Sequence, residues 1–159
     1  MNKFSRFTLR FEADHFVEAS LTAGADEYRC SCLNVTDGLA DLLKSVLALH
    51  SCDRVQTTAK WTYSGQTWWI LDRDGSNVWI NLLEFDEKPI ELPSGHWIAV
   101  DVFRRSALSG RTTLGEFVAA IVHEFDRLQR VLGDVGFRDE WSYDFPHEQV
   151  EALRHRIAR

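Results

Sequence analysis

Two short clusters hold residues of the types zinc accepts, Cys30-Ser31-Cys32 and His50-Ser51-Cys52, since thiolate and imidazole both suit a tetrahedral site. Their spacing argues against a shared ion. Cys30 and Cys32 alternate within a strand pattern, so they point the same way about 6–7 Å apart, whereas structural sites separate paired ligands by two residues or more. The expectation is no metal, with two small strand residues facing a core and one loop thiol. His123-Glu124 lacks a second histidine four positions on, where Arg127 stands, so the helical metalloprotease motif is absent. Glu124 and Arg127 read instead as an ion pair on the solvent side of a helix. There is no glycine-rich phosphate loop, Gly-x-Ser-x-Gly elbow or nucleophilic cysteine motif. Asp72, Asp74, Glu84 and Asp101 could divide acid and base roles if neighbouring strands brought two of them together; singly, they read as solvated strand-end acids. No catalytic residue and no cofactor is assigned, and the chain is expected not to be an enzyme.

Recognition chemistry offers more. Trp61, Trp68, Trp69, Trp79 and Trp97 all fall in strand-like segments. Trp68 and Trp69 are adjacent, so they must point to opposite faces. One indole joins the core, and the other is covered by a second layer, exposed, or used to stack a ligand ring. An aromatic pocket on this sheet, serving a small molecule or an enzyme, is therefore the alternative to a protein-binding role. Two groups combine acids with aromatics: Glu84, Phe85, Asp86 and Glu87 with Glu91 soon after, and Asp134, Asp139, Glu140 and Asp144 around Trp141 and Tyr143. Either group is a solvated loop, or an acidic rim in which charge speeds encounter with a basic partner and an aromatic supplies local affinity. Glu84, Phe85, Asp86, Glu87, Glu91, Asp134, Asp139, Glu140 and Trp141 are the candidate partner-binding residues.

The elements that must position these residues follow from periodicity. Phe7, Leu9 and Phe11 alternate with polar residues as in a half-buried strand. His15 to Ala23 and Glu27 to Leu33 continue the pattern across the turn at Ala23-Gly24-Ala25-Asp26, giving a three-stranded antiparallel opening. Thr36 or Asp37 can cap a first helix carrying Leu39, Leu42, Leu43, Val46 and Leu47 and ending near His50. Val55 to Tyr63 is a fourth strand, closed by a turn at Ser64-Gly65-Gln66. Thr67–Arg73 and Asn77–Phe85 flank Asp74-Gly75-Ser76 as a hairpin. Lys88-Pro89 to Pro93-Ser94-Gly95 reads as a loop, and Trp97–Arg104 as the seventh strand.

Thr113 and Glu116 have capping-box spacing. Leu114, Phe117, Val118, Ile121, Phe125, Leu128 and Leu132 then trace one apolar stripe. Gly133 and Gly136 should stop that helix, and Pro146 should open a last one with Val150, Leu153 and Ile157. The order βββ-α-ββββ-α-α, with strands in runs, predicts an α+β fold with an antiparallel sheet of about seven strands and two or three helices.

With 159 residues, 45% of them hydrophobic, the chain can close one substantial core, and residues 1–159 read as a single domain. No apolar run is long enough to span a bilayer, and the opening residues alternate where a signal peptide would be continuously apolar. The expected location is the cytoplasm, without a membrane partner. Three cysteines in such a chain do not predict a disulfide framework. A formal charge of −6 weighs against nucleic acid, whose affinity rests on Lys and Arg replacing counterions. From Asn81 onward there are 14 acids against 10 bases, a bias that suits a basic partner.

The succession of a Trp-Trp-Ile-Leu-Asp-Arg-Asp-Gly hairpin, a long helix ending Leu-Gly-Asp-Val-Gly-Phe, then Trp141-Ser-Tyr143-Asp-Phe145-Pro146 and Leu153, resembles small bacterial α+β immunity proteins of polymorphic or contact-dependent toxin systems. The resemblance spans roughly residues 55 to 157 and rests on structural motifs. It implies a cytoplasmic antitoxin that binds and occludes a cognate toxin domain, often one attacking nucleic acid and therefore basic. It transfers no catalytic residues. A homo-oligomer remains open.

Overall fold

The computed structural model describes residues 2–12, 16–33, 37–62 and 65–157, with the side chains of residues 33 and 59–62 outside that description. The expected cap at Thr36, the strand end at Tyr63, the turn residue Ser64 and the Trp61 side chain lie outside the described residues. The rest is α+β: a seven-stranded mixed sheet with three helices.

The alternating N-terminal residues form β1 (Asn2–Glu12), β2 (Phe16–Ala23) and β3 (Asp26–Leu33), an antiparallel meander. Gly24 turns β2 into β3 at φ +63°, and a Cβ there would lie 2.8 Å from the Asn2 side chain, so both conformation and space demand glycine. A second antiparallel set comprises β4 (Arg54–Thr62), β5 (Gly65–Asp74), β6 (Asn77–Glu91) and β7 (Trp97–Thr113). The sets join where β1 runs parallel to β7, with Asn2 opposite Gly110 and Lys3 opposite Arg111, giving the order β3-β2-β1-β7-β6-β5-β4. Gly65 and Gln66 begin β5 instead of turning, and Thr62 pairs with Gly65.

One face is apolar by alternation: Phe7, Leu9, Leu21, Leu71, Ile80 and Leu82 are all buried. Over it pack α1 (Gly38–Ala48), α2 (Leu114–Trp141) and α3 (His147–Ile157), and the buried side chains form one contiguous cluster. Asp37 caps α1 by accepting from the Ala40 N–H at 3.2 Å. The Thr113–Glu116 capping box is present. At Gly133 the backbone leaves helical geometry (φ 64°, ψ 178°), yet the helix resumes through Gly136 to Trp141. The expected stop is thus only an interruption. Phe137 and Trp141 are fully buried, with Phe11 and Phe145 against them, and that packing holds the final turns. Among the described residues, no helix is long and apolar enough to cross a membrane.

Beyond Lys3, β1 parts from β7 and α2 serves its edge. The Leu9 N–H donates to Glu124 Oε2 at 3.2 Å, while Arg127 donates to the Leu9 carbonyl and, at 2.9 Å, to Glu124. The expectation of a solvated pair is corrected: Glu124 is 5% exposed. Two otherwise unpaired main-chain groups explain why a charge is held there.

The second correction concerns residues 86–113. The expected loop contracts to residues 92–96, because β6 continues through Pro89 to Glu91 and β7 extends from Trp97 to the cap of α2. The Leu92 N–H donates to the His96 carbonyl at 2.8 Å across the tip. Antiparallel pairs alternate between bonded and non-bonded, so Ile90↔Ile98 and Lys88↔Val100 are bonded pairs and Pro89↔Ala99 is not. Proline therefore sits where its missing N–H would have pointed away from β7, a position a strand tolerates.

Candidate functional site

β5 pairs with β6 only as far as Asp86. The remainder of β6 and the facing part of β7 project past the sheet as a two-stranded arm, with residues 92–96 at its tip. Register shifts between Leu82 and Leu83 and between Glu84 and Phe85 put extra residues in β7 at the arm's base, the places where a bulge bends and twists a strand.

The arm carries much of the exposed apolar surface: Trp97 is 65% exposed and Phe103 57%, with Ile90, Ile98 and Val102 also exposed. Such a ribbon buries little by itself, so these residues gain no fold stability commensurate with their size. The run Trp97-Ile98-Ala99-Val100-Asp101-Val102-Phe103 is apolar at both parities, the pattern of a strand covered on both faces. Here neither face is covered. That doubled pattern is legible in the sequence, where the expectation is simply a seventh strand; Trp97, Ile98, Asp101 and Phe103 are absent from the expected partner-binding residues.

Aromatics link the arm to the sheet's outer face, opposite the helices. Trp68 lies on Phe85 with ring centroids 4.3 Å apart, and Phe85 meets Phe103 edge-on at 5.8 Å. Trp69, its neighbour, points inward beside a small space of about 30 Å³, so the expected split of the two indoles is realised. Trp79 lies on the outer face under Arg111, 5.9 Å from guanidinium carbon to ring centre. A groove of about 770 Å³ lies between the outer face of β1–β3 and α2, and its lining contains no tryptophan.

The charged residues divide sharply. Asp86 faces Arg104 at 3.8 Å, whereas Glu91 and Asp101 have no ion-pair partner among the described residues. With Glu87 and Lys88, residues 85–104 carry four acids against two bases. Glu84 is withdrawn from this surface: it is 5% exposed and takes a bidentate pair from Arg105. The Arg105 hydrogen bond first, then one from Tyr28, hold its carboxyl below the ordinary glutamate value against the opposing effect of burial. Tyr28 bonds Thr67 at 2.9 Å, and burial pushes its phenol up. Glu84 thus secures the arm's base from inside and presents little of its side chain to the surface.

The second acid-aromatic group loses its tryptophan. Trp141 is fully buried, and its indole N–H donates to Asp37 Oδ1 at 3.0 Å, pinning the end of α2 to the cap of α1. Asp134 holds His147 at 2.9 Å and Asp144 holds Arg138 at 2.6 Å. Asp139 and Glu140 remain exposed on the last turns of α2. The four strand acids do not converge: Asp72 is paired with Arg54, Glu84 with Arg105, and Asp101 stands opposite Glu87 on the arm. Cys30 and Cys32 face the core, Cys52 is exposed, and none of the three forms a disulfide. Among the described residues no three potential ligands gather into a metal site.

No protein-family model matches the chain, and no curated protein and no solved structure matches it.

Proposed function

We propose that this chain is a protein-binding domain that engages a basic partner through the β6–β7 arm, and that it acts as a cytoplasmic immunity protein masking the active surface of a cognate toxin. The observation that carries the reading is the arm itself, a projecting ribbon whose exposed Trp97 and Phe103 lie beside Glu91 and Asp101. Exposed aromatics of that size are typical interface anchors. The surrounding acids favour a positively charged counterpart and speed its approach. The resemblance of residues 55–157 to immunity proteins supplies the toxin as the class of partner. Of the residues expected to bind, Phe85 and Asp86 lie at the base of the arm and Glu87 and Glu91 on it, while Asp134, Asp139 and Glu140 form a separate group on α2. Masking needs only complementarity and occlusion, so no catalytic group is required.

The deciding experiment is co-purification with the product of the adjacent gene. A one-to-one complex is expected, weakened about thirtyfold or more by Trp97→Ala with Phe103→Ala, the loss typical of two anchor residues. Charge reversal at Glu87, Glu91 and Asp101 should slow association and reduce its salt dependence. An unchanged affinity in both variants sinks the arm as the contact surface.

A further inference from the structure

The arm has two edges, and only one is guarded. Its β6 edge, past the end of β5, carries Pro89 between Glu87 and Glu91; proline and charge are the usual means of keeping a strand from pairing with another chain. Among the described residues, the β7 edge has no strand beside it until Gly110 meets Asn2. Given the alternation set by the Leu92–His96 bond, the residues whose main-chain N–H and C=O turn to that open side are Trp97, Ala99, Asp101 and Phe103. None is proline. From Trp97 to Arg105 the open edge is about 30 Å long at strand rise.

We propose that this edge accepts an extended strand from the basic partner, adding it to the sheet beside β7. The inference rests on the protein-binding reading above and specifies how the partner is held. Main-chain bonds would supply the register, as in other cases of strand addition. Arginine or lysine side chains on the added strand would lie against unpartnered Asp101 and over the Trp97 and Phe103 rings, where cations are attracted to the aromatic face. The same charges decide against a second copy of this chain: residues 85–104 carry Asp86, Glu87, Glu91 and Asp101 against Lys88 and Arg104, so two arms laid edge to edge repel.

The test uses the full chain and a fluorescein-labelled ten-residue peptide alternating arginine with threonine. Binding by anisotropy is expected, at least tenfold weaker when alternate peptide nitrogens are methylated, which removes strand pairing and leaves every charge in place. Ala99→Pro should weaken binding tenfold or more with the melting temperature unchanged, because it removes an outward N–H and no β6–β7 bond. In the unmodified chain, the Ala99, Asp101 and Phe103 amides should gain protection from hydrogen exchange on peptide addition, a readout independent of any variant. Equal binding of the methylated peptide, or no protection of those amides, overturns strand addition while leaving partner binding through side chains intact. Protection by a glutamate-threonine peptide as strong as by the arginine one overturns the basic partner and spares the edge. A concentration-dependent dimer that protects these amides without peptide would make a second copy the occupant and overturn the proposal.

Discussion

Glu84 and Trp141 show how one side chain's chemistry changes meaning with its surroundings. In the sequence each stands among acids and aromatics, and in the fold each is a buried bracket. Replacing Glu84 with glutamine removes a charge-assisted pair to a partly exposed arginine; a loss of about 1–2 kcal/mol in urea unfolding is expected, below the figure for a fully buried pair. Since the folded carboxyl titrates below its ordinary 4.5, its contribution is complete above that pH and is lost as pH falls through the folded value. The gap between wild type and Glu84→Gln should therefore narrow in acid, and a constant gap would contradict the pairing. Asp37→Ala removes both the cap of α1 and the acceptor for the Trp141 indole. It should cost more than the ~1 kcal/mol of an ordinary cap, because a buried donor is left without a partner. Thermal melting of Asp37→Ala beside Thr113→Ala gives the comparison.

At the level of elements, glycine spacing alone does not say where a helix ends. Gly133 adopts φ 64° and ψ 178°, a region open essentially to glycine, so Gly133→Ala should cost about 1–3 kcal/mol. Gly136 is helical, and a Cβ there would meet Leu132 Cβ at 3.3 Å; alanine's helical advantage of about 0.5–1 kcal/mol is partly offset by that contact. Chemical denaturation of the two variants should differ in this order, and equal effects would refute the kink. The edge of β1 carries the same lesson. Glu124 and Arg127 were legible as neighbours one helical turn apart, but Leu9, more than a hundred residues away, determines that they clasp a main chain instead of facing water.

For the whole molecule, the division between core and arm predicts separable stability and function. The buried cluster contains nothing from residues 85–106, so replacing residues 87–102 with a short turn should leave the melting transition cooperative and shifted only slightly, while partner binding is abolished. A collapse of the fold would show that the arm supports the sheet. Complex formation through the arm should also slow with added salt, since exposed charges steer the encounter.

Local order was legible in the sequence by itself: strand and helix types, the hairpin at Gly75, a cap at Thr36 or Asp37 and another at Thr113, and the α+β class all follow from periodicity and backbone chemistry acting within a few residues. What depends on distant partners was decided only in the tertiary structure. Strand order and the burial of Glu84, Glu124 and Trp141 depend on partners far along the chain, and Trp97 and Phe103 project because β5 ends before β6 does. An apolar strand has the same sequence whether a sheet, a helix or another protein covers it, and only the assembled chain shows which faces and edges are left open.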